Sequence, residues 1–439
     1  MLRTIRILFR LLALSFCLSV GAWTPASAGD SRPIVIRGAT VLTMAGKTIA
    51  DATLLIQNGK IKAVGKDVET PPDAEVIDAR GKYVLPGLVD PHSHLGVYSL
   101  PGLTGNSDGN EMTGPIESQV RSEDAVNTDD PEIPRAVSAG VTTVQIVPGS
   151  GNNIGGWATI VKLNGGQTVE QMKFPEAPPS MKWAWGENQK RSYGSKGQAP
   201  STLMGEAAIV RQKLCEAQNY LAKKKAWEEG DKKGAPPERN LQLEALAEVL
   251  AGRVKVNVHS YQVNHFQAIF AIADEFHFPI ASLHHALDAY MIAPEIARRH
   301  IGVVTFANLW GYKVEAWDAI PQNAYLLWKN GVTVSFHTDN PVIEERYYIE
   351  QAAFASHYGL PDEVALEAVT INPARILGIE QRVGSLEPGK DADLAVWSGY
   401  PLDLRSRVER VFIDGKQVYS QKEGFIPWKG RSAGVQLEP

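Results

Sequence analysis

Between residues 88 and 336 the chain carries eight short apolar segments of strand character: Leu88–Asp90, Val141–Val147, Ile160–Leu163, Met181–Trp185, Val254–Val258, Ile280–Leu283, Gly302–Phe306 and Val332–Phe336. Helix-like patterns and loops lie between them. Parallel strands need long crossovers, so strands alternating with helical stretches predict βα units on a parallel sheet, and eight such strands close a barrel. Leu203 to Leu250 reads as two helices broken at Gly234-Ala235-Pro236-Pro237, while Gly96 to Asp130 is a long Gly- and acid-rich loop of the kind that covers binding sites. The two ends differ from this middle. Ile56-Gln57-Asn58-Gly59-Lys60-Ile61 and Ile413-Asp414-Gly415-Lys416 carry two-residue hairpin signals within β-rich stretches. One sheet domain assembled from both ends is therefore expected beside the barrel.

The first residues read as an address. Arg3 and Arg6 precede an apolar run from Ile7 to Val20, and Ala26-Ser27-Ala28 supplies the small residues of a cleavage site. The run is short for a bilayer span, which takes about 20 apolar residues. A signal peptide over 1–28 is expected, giving a protein secreted across the inner membrane into the periplasm, with no membrane association after cleavage. Cys17 falls within the signal, so Cys215 stands alone in the mature chain and has no partner for an internal disulfide. The formal net charge is -5 and no Lys/Arg-dense block occurs, which excludes a nucleic-acid partner. A small-molecule substrate is the expected partner, and a homo-oligomer stays open.

Only 10 histidines occur, and several sit where predicted strands end. His92 and His94 follow the first strand at a spacing that points both side chains the same way. His259 ends the fifth strand, His284 and His285 the sixth, and Asp339 follows the eighth. Barrel enzymes place their chemistry at these C-terminal strand ends. Imidazoles converging with a carboxylate suit Zn²⁺ or a similar divalent ion. Tyr98, Arg191 and Tyr193, on loops, are candidates to bind a substrate carboxylate or carbonyl. The loop Gly149–Gly156 lacks the Gly-Lys-Ser/Thr ending of a nucleotide loop and reads as a substrate loop or turn.

Val84-Leu85-Pro86-Gly87-Leu88-Val89-Asp90-Pro91-His92-Ser93-His94 resembles the entry motif of the metal-dependent amidohydrolase superfamily, and Asn372-Pro373-Ala374 with Gly384–Leu394 resembles its closing signature. Trp310–Ala316 and Met181–Arg191 are similar to the exported, imidazolonepropionase-like branch. The resemblance implies a (β/α)8 TIM-like barrel over residues 87–380 and a small β-sandwich from 29–86 and 381–439. It implies His92, His94, His259, His285 and Asp339 as metal ligands, Asp339 also as the catalytic proton shuttle, and one or two divalent ions, with zinc expected. His285 is selected over His284, which strand alternation points to the opposite face. Lys182, as a carbamate bridging two ions, and Glu187, which needs no modification, are the two candidates for the fourth-strand ligand. The implied activity is hydrolysis of a C–N bond in an amide or cyclic amide. A dipeptidase-like or deaminase activity in the same site, or a non-catalytic periplasmic binding or scaffold protein, are the alternatives.

Overall fold

A computed structural model describes residues 32–230 and 232–428; the expected signal segment and the chain beyond residue 428 lie outside the described residues. From the N-terminal side come β1 (Ile34–Leu42), β2 (Thr48–Gln57), β3 (Lys60–Gly65), β4 (Glu75–Asp78) and β5 (Tyr83–Pro86). The middle supplies β6 (Leu88–Ser93), β7 (Val141–Ile146), β8 (Ile154–Lys162), β9 (Ser180–Ala184), β10 (Lys255–Ser260), β11 (Ile280–His285), β12 (Gly302–Thr305) and β13 (Val334–Phe336). The C-terminal side adds β14 (Leu394–Trp397), β15 (Val408–Ile413), β16 (Lys416–Ser420) and β17 (Gly424–Phe425).

Both chain ends share one nine-stranded sheet, joined where β14 runs antiparallel to β5. The two hairpin signals act as read. Asn58 and Gly59 have φ of 53° and 76°, and Asp414 and Gly415 have 50° and 70°, the left-handed pairs that a tight hairpin requires. These turns also stack: a side chain on Gly415 would meet the Gly59 backbone at 2.8 Å. Ile36, Leu54, Val84, Val396 and Phe412 form the core on one face of this sheet, while Leu85, Trp397 and Val411 join the core of the barrel on the other.

The barrel strands follow the order β6 to β13. Its seam closes through Asp339 N–H to His92 O at 3.1 Å and His94 N–H to Asn340 O at 3.2 Å. The Asp90 carboxylate staples the same seam, accepting from the backbone N–H groups of His92 and Thr338 at 2.8 Å each and from Thr338 Oγ1 at 2.7 Å. The two predicted helices between Leu203 and Leu250 are present as Leu203–Glu229 and Leu241–Leu250.

One strand departs from the all-parallel expectation. β8 begins at Ile154, earlier than the predicted Ile160, and runs antiparallel to both β7 and β9. Only residues 147–153 separate it from β7, too short for the crossover of a dozen or more residues that a parallel neighbour needs. The glycine-rich loop is thus the return turn of a hairpin. Gly156, with φ of 111°, passes close to the covering loop; a side chain there would lie 2.3 Å from Val120 O.

Lys162, at the end of β8, ties barrel to sheet domain. Its buried ammonium reaches Asp391 at 2.7 Å, Asp393 at 3.0 Å and Asp414 at 2.6 Å. Among the described residues no helix is long and apolar enough to cross a membrane.

Candidate metal centre

Strand ends deliver the expected side chains to one mouth. His92 and His94 come from the end of β6, Lys182 from β9, His259 from β10 and His285 from β11. Asp339 sits three residues beyond β13. His285 and Asp339 have φ of 65° and 51°, a left-handed conformation that non-glycine residues adopt at a cost and that concentrates at functional sites. The expectation for His284 is corrected. His284 alternates onto the same face as Ser282, whose Oγ lies 2.7 Å from its Nε2, so its ring points into the barrel. The left-handed backbone at His285 brings the next ring to the site as well, with centroids 4.8 Å from His92 for His284 and 5.0 Å for His285.

His92 Nε2 and His94 Nε2 each lie 3.1 Å from Asp339 Oδ1, and the three atoms fall within 4.8 Å of one another. His94 Nδ1 is 2.7 Å from the Val147 carbonyl, which can only accept, so in the neutral ring Nε2 carries a lone pair. Burial, and next the Lys182 ammonium, drives His92 well below the usual imidazole range; burial does the same to His259 and His285. Burial would raise the Asp339 carboxyl, but the facing imidazoles, His285 foremost, outweigh it and keep the group ionised. Lone pairs aimed at a carboxylate repel unless a cation lies among them. His259 Nδ1 and both ring nitrogens of His285 are also buried without a hydrogen-bond partner. Neutral imidazoles with unclaimed nitrogens, grouped around an ionised carboxylate, fit a divalent ion of zinc's kind.

Lys182 is fully buried, its Nζ 3.1 Å from His92 Nε2 and 3.3 Å from the Pro148 carbonyl. Burial pushes its ammonium down to about 8. Glu187 stands further out on the pocket wall, where its carboxylate is 3.7 Å from Lys313. Of the two fourth-strand candidates, the structure brings Lys182 to the imidazoles.

Above these groups opens a pocket of about 630 Å³ lined by His94, His259 and Asp339 at its floor and by loop residues around it. The profile of the amidohydrolase family matches residues 322–418. The crystal structure of an amidohydrolase from Thermotoga maritima superposes with a TM-score of 0.84 at 39% identity, covering 88% of this chain and all of that one. The chain belongs to the amidohydrolase family. Amidohydrolase tasK of Hapsidospora irregularis is 36% identical over 425 residues, covering 88% of this chain; the chain spans only 43% of that relative's length. Imidazolonepropionase of Thermoplasma volcanium is 24% identical over 86% of this chain and 93% of its own.

Of the loop residues singled out in the sequence, Tyr98 and Arg191 line the pocket of this amidohydrolase. Tyr98 packs edge-on to His94 at 5.4 Å, and burial pushes its hydroxyl up to about 12. Arg191 is exposed, held by one bond to Asn188. Tyr193 is not a wall residue. It is buried, and its hydroxyl donates to Gly114 O at 2.5 Å, pinning the covering loop. The wall also has members that sequence reasoning passed over. Tyr261 stacks on His285 and shares a 2.6 Å hydrogen bond with Tyr312, while Lys313 Nζ sits 3.8 Å over the Tyr261 ring. Tyr261 was within reach of sequence reasoning, since two residues past His259 it falls on the same side of the strand. Asn110 and Met112 come from the Gly96–Asp130 loop, which covers the mouth as its length suggested.

Proposed function

We propose that this amidohydrolase hydrolyses a C–N bond of a small amide or cyclic amide, with one or two divalent ions, zinc foremost, held by His92, His94, His259, His285 and Asp339. A carbamate formed on Lys182 would complete the set from the fourth strand, since the lysine ammonium has no lone pair to give. The observation that supports the reading is the meeting of His92 Nε2, His94 Nε2 and Asp339 Oδ1 at the floor of an open pocket. When bound, such an ion polarises a carbonyl and brings the pKa of water toward about 7.

The protein's own groups carry the protons and the substrate. Asp339 is ionised yet its side chain keeps 16% exposure to the pocket, so it can take a proton from the attacking water and hand it to the leaving nitrogen. His94 is held by the Val147 carbonyl and keeps its Nε2 aimed at Asp339. Tyr98 and Arg191 orient the substrate from the wall. Arg191 on that wall carries a guanidinium with no carboxylate paired to it among the described residues, whereas Lys313 is held by Glu315 at 2.9 Å. Arg191 favours a second reading, a substrate with a free carboxylate such as a dipeptide. Export to the periplasm belongs to the same proposal and rests on the pattern of residues 1–28.

The test is turnover by the zinc-reconstituted protein on cyclic amides, N-acyl amino acids and dipeptides, with His94→Ala and Asp339→Asn as controls. Hydrolysis that both substitutions abolish is expected. Zinc uptake without turnover across the whole panel would favour a binding protein instead.

A further inference from the structure

Barrel interiors are ordinarily filled by Val, Ile and Leu. This one carries an unbroken line of polar side chains, each buried to 2% exposure or less, running away from the pocket floor. His92 Nδ1 lies 2.6 Å from His284 Nδ1. His284 Nε2 lies 2.7 Å from Ser282 Oγ, which lies 2.9 Å from Asn257 Oδ1. Asn257 Nδ2 reaches Gln145 Oε1 at 3.2 Å, and Gln145 Nε2 reaches Ser180 Oγ at 2.8 Å.

The direction of the upper bonds follows from the Asn257 end. Asn257 Oδ1 only accepts, so Ser282 spends its one hydrogen there and its oxygen accepts from His284 Nε2–H. The neutral His284 ring then offers a lone pair on Nδ1, and His92 donates its Nδ1–H to it, which leaves His92 Nε2 free to accept. The Asn257 amide goes to Gln145 and the Gln145 amide to Ser180. Reversing any one link would leave two donors or two acceptors face to face where no water can intervene.

We infer that His284, Ser282, Asn257 and Gln145 are positioning residues for the metal centre, which together lock His92 in the one tautomer whose Nε2 faces the ion. The inference rests on the metal reading above. Without the line, either ring nitrogen of His92 can hold the proton, and a proton on Nε2 blocks the ion's place. Partners of this kind behind metal-bound histidines typically account for about 10–100-fold in affinity.

Two measurements on the full chain test this. In chelator competition for Zn²⁺, Ser282→Ala and His284→Phe should each weaken binding about tenfold or more, whereas Ser282→Thr, which keeps the hydroxyl, should restore it. Ala and Phe variants that fold as the parent does and bind zinc as tightly would overturn the proposal. In the metal-free parent labelled with ¹⁵N-histidine, the signals lost in His92→Gln should report a proton on Nδ1; a proton on Nε2 would overturn the tautomer lock even if the Ser282 and His284 variants misfold. The two failures are distinguishable. A parent chain that takes up no zinc sinks the metal centre itself, while one that binds zinc but shows the Nε2 proton sinks only the positioning line.

Discussion

Replacing Lys162 by Met should cost the fold about 3–5 kcal/mol, the usual loss when one partner of a buried ion pair is removed. Three carboxylates meet this ammonium, and they do not suffer equally. Asp391 keeps Lys60 and Arg382, and Asp414, 44% exposed, regains water. Asp393 is 2% exposed, its Oδ1 satisfied only by Asp414 N–H at 2.7 Å and its Oδ2 with no hydrogen bond. The cost therefore falls on Asp393. Burial already pushes that carboxyl up to about 6, with Lys162 the strongest influence holding it down. A group whose folded pKa lies above its unfolded value, near 3.9 for Asp, loses stability as pH rises between the two. Taking Lys162 away widens that window upward, so the deficit of the variant should be larger at pH 8 than at pH 5.5. Guanidinium unfolding at both pH values measures it, and Lys162→Met combined with Asp393→Asn should recover much of the loss. A deficit below about 1 kcal/mol at pH 8, or a larger one at pH 5.5, would refute the reasoning.

Asp339→Asn keeps an oxygen near the imidazoles but removes the base, and kcat on any substrate found should fall about 10²–10⁴-fold; a loss under tenfold would remove Asp339 from proton transfer. Arg191→Ala should raise KM for a carboxylate-bearing substrate about tenfold with little change in kcat, and leave neutral amides alone; equal effects on both would assign Arg191 to structure. N-terminal sequencing of protein recovered from the periplasm should begin at Gly29; a chain retaining Met1 in the cytoplasm would contradict export.

Much of this architecture was legible because the physics is local. Barrel strands buried on both faces read as short runs rich in Val, Ile and Leu, and the Asn58-Gly59 and Asp414-Gly415 turns announce themselves by residues that tolerate positive φ. The ligands were legible because strand ends converge in a barrel wherever the strands sit in sequence. The reversal of β8 was not legible, because a strand starting at Ile160 leaves room for a crossover after Val147, and only the start at Ile154 leaves residues 147–153, too few for one. Three features depend on long-range placement and leave no local signal. Gln145, Asn257 and Ser282 look like interruptions in apolar strands until their register aligns them. That His284 and His285 both reach the site follows from the left-handed backbone at His285, which brings its ring beside one already inward by alternation. Tyr193 spends its hydroxyl on Gly114, a partner 79 residues away.

The central claim is that the imidazoles, Lys182 and Asp339 hold catalytic metal. Elemental analysis of the purified chain after zinc reconstitution, repeated for Lys182→Ala and Glu187→Ala, tests it most directly. The account predicts bound zinc in the parent, a reduced content with Lys182→Ala and an unchanged content with Glu187→Ala. A chain that retains no metal after reconstitution would contradict it.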